Sequence, residues 1–216
     1  MKLIVINGSP RGKSSNSKVI TDWMLPFAGK DAVVEEYFAA KTKTHEDVVK
    51  SIEDDATILA VFPLYTDSVA GLLKQLFEEM ETIRGRQKGV KIYFVVQSGF
   101  HGANHSRFVE KYLVWFAGNM GFEYMGTAVK PAGEGLRVMP ESWTRKTREC
   151  FETLGGNVGA GSRFDEDALK KLAKREKPSA LFRWSVRHNV GTSVWFNNVL
   201  KKNNAFDNRY DRPYVD

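Results

Sequence analysis

The 216-residue chain has a single cysteine, Cys150. One thiol cannot build a disulfide framework, and it leaves no cysteine cluster to hold zinc or an iron–sulfur centre. Long apolar runs are missing as well: none reaches the roughly 20 residues that a helix needs to cross a bilayer. The opening run, Leu3 to Ile6, is too short for the core of a signal peptide and lacks a cleavage pattern. A cytoplasmic protein with no membrane partner is the expectation. There is no internal repeat and no low-complexity tract. An excess of one charge sign is also scarce. The net charge is +6, with 16 basic and 15 acidic residues over 1–130 and 16 against 11 over 131–216. A surplus this small, interleaved with acids, is what a solvated face carries. Nucleic acid is therefore not the expected partner; binding there would fall steeply with salt.

What is present is an apolar fraction of 42%, enough for the core of one domain, alone or with an extension. The chain is organised around its first seventeen residues. Lys2 to Ile6 is a short β-branched run that reads as a buried strand. It leads into Asn7-Gly8-Ser9-Pro10-Arg11-Gly12-Lys13-Ser14-Ser15-Asn16-Ser17, which contains no apolar side chain other than proline. A helical pattern follows at Val19, Ile20, Trp23, Met24 and Phe27.

Strand, small-residue loop and helix N-terminus in that order make an anion site. The first N–H groups of a helix lack intrahelical partners, and the helix dipole adds partial positive charge. Ser9, Ser15, Asn16 and Ser17 add donors, Arg11 and Lys13 add charge, and Gly8 and Gly12 allow close backbone approach. Helix capping accounts for one of Ser15, Asn16 and Ser17, not for the whole polar run. Phosphate is the natural guest. A Walker loop needs four residues between its glycines; here only Ser9, Pro10 and Arg11 separate Gly8 from Gly12. The dinucleotide pattern of three glycines fails too. A P-loop-like nucleotide-binding protein is thus disfavoured, the more so because the third strand ends in Pro63 rather than a magnesium-binding aspartate.

Further along, strands are expected at 33–38, 57–62, 90–96 and 122–129, with helices between them. The helix after residue 68 carries Val69, Leu72, Leu73, Leu76, Phe77 and Met80, with Ser68 as its expected N-cap. Such alternation implies a parallel sheet with helices on both faces, and ligands in such sheets sit beyond the carboxyl ends of the strands. Past residue 130 the alternation stops. Helices are expected at 141–154, ended by Gly155-Gly156, at 166–175 behind Asp165, and from Pro178 to about Lys202.

Three loops carry a resemblance. Gly8-Ser9-Pro10-Arg11 followed by Ser15-Asn16-Ser17 resembles the flavin-phosphate loop of the NADPH-dependent FMN reductases. Pro63-Leu64-Tyr65 with Ser68, Gly71, Leu73 and Lys74 is similar to the segment that lines one side of the flavin ring in that family, and Ser98-Gly99-Phe100-His101-Gly102 to the loop on the other side. The resemblance covers residues 1–130. It implies an α/β, flavodoxin-like three-layer sandwich: a five-stranded parallel sheet in the order 2-1-3-4-5, with a C-terminal helical extension. The core would span 1–130, and the extension, 131–216, would pack on the same domain or on a partner subunit. FMN would be the cofactor, reduced by NADPH or NADH and reoxidised by a flavin, quinone, azo or nitro acceptor; a homodimer is implied, and no metal. Ser9, Arg11, Ser15, Asn16 and Ser17 would hold the phosphate. The segments Pro63, Leu64, Tyr65, Thr66, Asp67, Ser68 and Ser98, Gly99, Phe100, His101 would flank the ring. Tyr65 and Phe100 are candidates to stack on it or to be core aromatics, and His101 to assist an acceptor or to face solvent. No protein nucleophile is required, since the flavin carries the chemistry. A flavodoxin-like electron carrier without a nicotinamide site is the alternative, disfavoured by the basic charge.

Overall fold

In the computed structural model, residues 1–188, 190, 196–198, 200–201 and 204–211 are described. The five apolar runs are strands β1 (Lys2–Asn7), β2 (Val33–Phe38), β3 (Thr57–Pro63), β4 (Lys91–Gln97) and β5 (Glu123–Lys130). All pair in parallel, in the order β2-β1-β3-β4-β5. Among the described residues they are accompanied by helices α1 (Asn16–Ala28), α2 (His45–Ser51), α3 (Gly71–Met80), α4 (Arg107–Met120), α5 (Glu141–Gly159), α6 (Glu166–Ala173) and α7 (Ala180–Arg187). This is the expected flavodoxin-like α/β sandwich.

The two-residue period of a strand divides each one between two cores. Ile4 and Ile6 face the layer of α2, α3 and α4, where Leu73, Phe77, Leu113 and Phe116 are buried. Leu3 and Val5 face the layer of α1, α5 and α6, with Ile20, Met24, Phe151, Leu154 and Leu172. Every residue of β3 is buried, as a central parallel strand requires. Each such aliphatic or aromatic side chain contributes about 1.5–3 kcal/mol by leaving water. β2 lies at an edge, and Val33 and Val34 are exposed there.

Sequence and structure part at three helix ends. α5 runs through Gly155 and Gly156 to Gly159 rather than stopping at the first pair. Gly155 and Gly159 face α1: a Cβ on Gly155 would collide with the Met24 carbonyl and lie 3.0 Å from Met24 Cα, and one on Gly159 would lie 2.7 Å from the Phe27 carbonyl oxygen. These glycines let two helix backbones touch; they are not stop signals. α3 begins at Gly71 behind Ala70, and Ser68 does not cap it. Ser68 instead exchanges both backbone hydrogen bonds with Tyr65. Finally, α7 ends at Arg187, not near Lys202; of the apolar positions expected to extend it, Val194, Trp195 and Val199 lie outside the described residues.

Residues 1–177 form one compact unit and 178–216 a second. No helix among the described residues is long and apolar enough to cross a membrane.

Candidate functional site

β1, β3 and β4 stop at Asn7, Pro63 and Gln97. Their carboxyl ends open on a cavity of about 460 Å³ at the point where strand order reverses between β1 and β3. From the first loop it is lined by Ser9, Arg11, Ser15 and Asn16; from the second by Pro63, Leu64, Tyr65 and Thr66; from the third by Ser98, Gly99 and Phe100. Gln97 and Glu134 complete the lining. Four expected residues, Ser17, Asp67, Ser68 and His101, are not part of it.

The first loop is folded around buried Asn7. Its Nδ2 donates to Ser15 Oγ at 3.3 Å and to the Gly12 carbonyl at 3.4 Å, while its Oδ1 accepts from Ser9 N at 3.0 Å. Gly12 stands at φ +55, a turn that glycine adopts without steric cost. Gly8 has a different role from the one its position suggests. A Cβ there would lie 2.6 Å from Leu73 Cδ2 and 2.7 Å from Phe62 Cβ, so the glycine admits α3 rather than a ligand. Ser15 is the N-cap of α1: its Oγ accepts from Lys18 N at 3.1 Å and donates to the Gly12 carbonyl at 2.7 Å. Asn16 donates from Nδ2 to the Glu134 carbonyl at 2.8 Å and accepts from Arg137 N at 3.2 Å. The side chains of Ser15 and Asn16 are therefore committed to the protein. What the loop offers an anion is the first-turn N–H groups of α1, the Arg11 guanidinium and the Ser9 hydroxyl. Ser17 Oγ, in the first turn of α1, is buried and has no hydrogen-bond partner among the described residues.

In the second loop Tyr65 and Ser68 close a two-residue turn with both amide–carbonyl bonds at 3.0 Å. Thr66 and Asp67 stand at φ +50 and +57. That is the left-handed pair of a type I′ hairpin turn, and for β-branched Thr66 it stores about 1–2 kcal/mol of strain. The turn projects Asp67 outward, where its Oδ1 lies 3.4 Å from His105 Nδ1. The Leu64 amide donates to the Gln97 carbonyl at 2.8 Å, so the loop is tied to β4.

The third loop prolongs the β4–β5 pairing. Ser98 N donates to the Lys130 carbonyl at 3.1 Å, Gly133 N to the Ser98 carbonyl at 2.7 Å, and Ala132 N to the Phe100 carbonyl at 2.7 Å. Ser98 Oγ is buried and without a hydrogen-bond partner among the described residues. Tyr65 and Phe100 are 46% and 45% exposed, so neither is a core aromatic. Beside this loop Lys130 is buried, and its Nζ donates to the Pro131 carbonyl at 2.6 Å. Burial, and then the Lys174 charge, push its pKa down to about 8. His101 is likewise held below its ordinary value, first by desolvation and then by the Lys130 and Lys174 charges, which favours the neutral imidazole.

Asn7, Gln97 and Glu134 were not singled out from the sequence. Asn7 and Gln97 carried a signal, since each is the polar residue that ends an apolar strand. Glu134 carried none: it lies 118 residues from Asn16 in an irregular stretch.

No family model matches the chain, and no curated protein matches its sequence. Solved structures do match in fold. An NADPH-quinone reductase from P. pentosaceus superposes with a TM-score of 0.55 over 74% of this chain and 100% of its own, at 18% identity. An NADH:FMN oxidoreductase in its apo form gives 0.54 over 84% and 98%, at 12% identity. An oxidoreductase from Corynebacterium diphtheriae gives 0.52 over 74% and 96%, at 12% identity. At such identities the likeness is one of fold: the chain has the flavodoxin-like architecture that these oxidoreductases share.

Proposed function

We propose that this protein is an FMN-dependent oxidoreductase that takes a hydride from NADPH or NADH and delivers it to a small flavin, quinone, azo or nitro acceptor. One observation carries the reading: three strand-end loops converge on a single cavity at the reversal of strand order, with the N-terminus of α1 on one side and two half-exposed aromatics on the other. The residues fit the cofactor. A helix N-terminus with Arg11 suits a phosphate. The buried Ser98 hydroxyl, which lines the cavity and has no hydrogen-bond partner among the described residues, is the kind of orphan that a polar ligand satisfies. The names of two fold neighbours, an NADPH-quinone reductase and an NADH:FMN oxidoreductase, point the same way.

In this reading Ser9, Arg11 and the first-turn amides of α1 bind the phosphate. Backbone groups of Leu64 to Thr66 and of Ser98 to Phe100 orient the polar edge of the ring, while Tyr65 and Phe100 shield it from water. Bound FMN supplies the group that accepts a hydride and passes it on.

The test is cofactor uptake. The purified chain is mixed with FMN, freed of excess flavin by gel filtration, and its retained flavin measured. About one flavin per chain is expected. Arg11→Ala should retain less, by up to about 1 kcal/mol for an exposed charge pairing with phosphate. A chain that takes up no flavin would overturn the reading and leave the fold intact.

A further inference from the structure

Among the described residues that line the cavity, Arg11 and Glu134 are the charged ones. Arg11 has a phosphate to meet. Glu134 is an acid on the wall of a site that receives an anion, and the phosphate and ring contacts named above give it no task.

Its place is fixed from two sides. Its carbonyl accepts from Asn16 Nδ2 at 2.8 Å, which holds its backbone against the first turn of α1. Its side chain reaches the third loop: a Cβ built on Gly99 would lie 2.9 Å from Glu134 Oε2, so the bare glycine leaves the carboxylate its room. The residue before it is anchored to the same loop, Gly133 N donating to the Ser98 carbonyl at 2.7 Å. Glu134 thus spans the gap between the anion-binding end of the cavity and a loop that flanks the ring. The donors beside its backbone are engaged elsewhere. Asn16 Nδ2 is taken by the carbonyl, Arg137 N donates to Asn16 Oδ1 at 3.2 Å, and Arg137 Nη1 donates to the Ser14 carbonyl at 2.6 Å. The Glu134 side chain is left exposed at the cavity wall.

An ionised carboxylate accepts hydrogen bonds and donates none. A phosphate is therefore the wrong partner for it, and hydroxyl groups are the right one: O–H donors to a carboxylate make bonds about twice as strong as neutral ones. The chemistry that suits this position is a run of hydroxyls between a phosphate and a ring. Ser98 Oγ, on the same wall, adds a second polar group for such a ligand.

We propose that Glu134 grips the hydroxyls of the chain that joins phosphate to ring, and so makes the site selective for a ligand with a hydroxylated linker. The proposal rests on the flavin reading, in which that linker is the ribityl chain of FMN.

The test is a fluorescence titration of the full chain and of Glu134→Ala with two ligands. One is FMN. The other is the FMN analogue whose ring carries an unhydroxylated five-carbon alkyl phosphate at N10. The two share ring and phosphate and differ in the hydroxyls. The parent should bind FMN at least about tenfold more tightly than the analogue, the size of one hydrogen bond to a charged group. Glu134→Ala should lose that margin on FMN and bind the analogue at least as well as the parent does, since it removes a negative charge near the phosphate. Glu134→Gln, which keeps one acceptor oxygen, should fall between. The bond from Asn16 goes to the Glu134 backbone and survives both substitutions. Equal losses for both ligands in Glu134→Ala would overturn the proposal and assign the carboxylate to the ring or to the fabric of the wall. A margin that the variant leaves unchanged would overturn it too, as would a parent that does not distinguish the two ligands. In each of those cases FMN still binds the parent, and the flavin reading stands. A parent that binds neither ligand overturns the reading and the proposal together.

Discussion

The His105 ring lies flat on Phe100, with centroids 4.0 Å apart and planes 17° from parallel, while its Nδ1 faces Asp67. Through this one side chain the second loop of the site is latched to the third. An exposed histidine–aspartate contact is worth little; a stacked ring pair contributes about 0.5–1.5 kcal/mol. His105→Ala should therefore weaken FMN binding by about 1 kcal/mol, roughly fivefold, in a fluorescence titration. His105→Phe, which keeps the stack and drops the Asp67 contact, should bind nearly as well as the parent. Equal losses in both variants would assign the latch to the Asp67 contact instead.

Asn16 bridges α1 to the segment that carries Glu134 and Arg137, accepting from one backbone and donating to the other. Asn16→Ala should loosen that wall of the cavity and lower flavin retention, although the Asn16 side chain does not reach out as a phosphate donor. Asn16→Asp keeps the bond from Arg137 N but turns a negative charge toward the Glu134 carbonyl, and should be worse than alanine. Retention unchanged in both would detach the segment 134–137 from cofactor binding.

Glycines in α5 separate packing from propensity. Gly155→Ala drives a methyl into the Met24 backbone and should cost about 1–3 kcal/mol, because neither helix backbone can yield as a flexible side chain would. Gly156→Ala meets nothing within 4 Å and should stabilise the helix by about 0.5–1 kcal/mol. Opposite shifts in melting temperature are expected from neighbouring residues. A fall in both would mean that the glycines act through something other than the α1 contact.

That pair also shows where sequence reading stops. The strands were legible because β1, β3 and β4 are continuous apolar runs, and the sheet order followed from the family resemblance. The strand-end loops were legible because small polar residues stand where a buried run ends. A glycine doublet within a polar helix looks like a terminus, and only the neighbour's position, 131 residues away for Met24 and Gly155, shows that it is a contact. Glu134 was invisible for the same reason: what makes it part of the site is a tertiary bond to Asn16, with no local pattern behind it. Ser68 looked like a cap because serine often is one, but the Thr66–Asp67 left-handed turn had already taken its backbone.

Lys130 makes stability depend on pH in a defined direction. Its pKa falls from 10.5 to about 8 on folding. Between those values the unfolded chain binds more protons, so stability rises with pH across that window; below about 8 both states are protonated and the burial cost is present in full. The whole effect is up to ~3 kcal/mol. Lys130→Met, which removes the charge and keeps the volume, should raise the melting temperature at pH 7 by several degrees and flatten the rise between pH 8 and 10.5. A lower melting temperature at pH 7 would show that the bond to the Pro131 carbonyl outweighs the cost of the buried charge.

The central claim is that the cavity holds a flavin which nicotinamide cofactors reduce. Its most direct test is the visible absorption spectrum of the FMN-loaded protein before and after NADPH, then NADH, is added without oxygen. The account predicts flavin bands that bleach with at least one donor and return when a quinone or free flavin is supplied. Bands that persist with both donors would contradict it and leave a flavodoxin-like carrier in place of an enzyme.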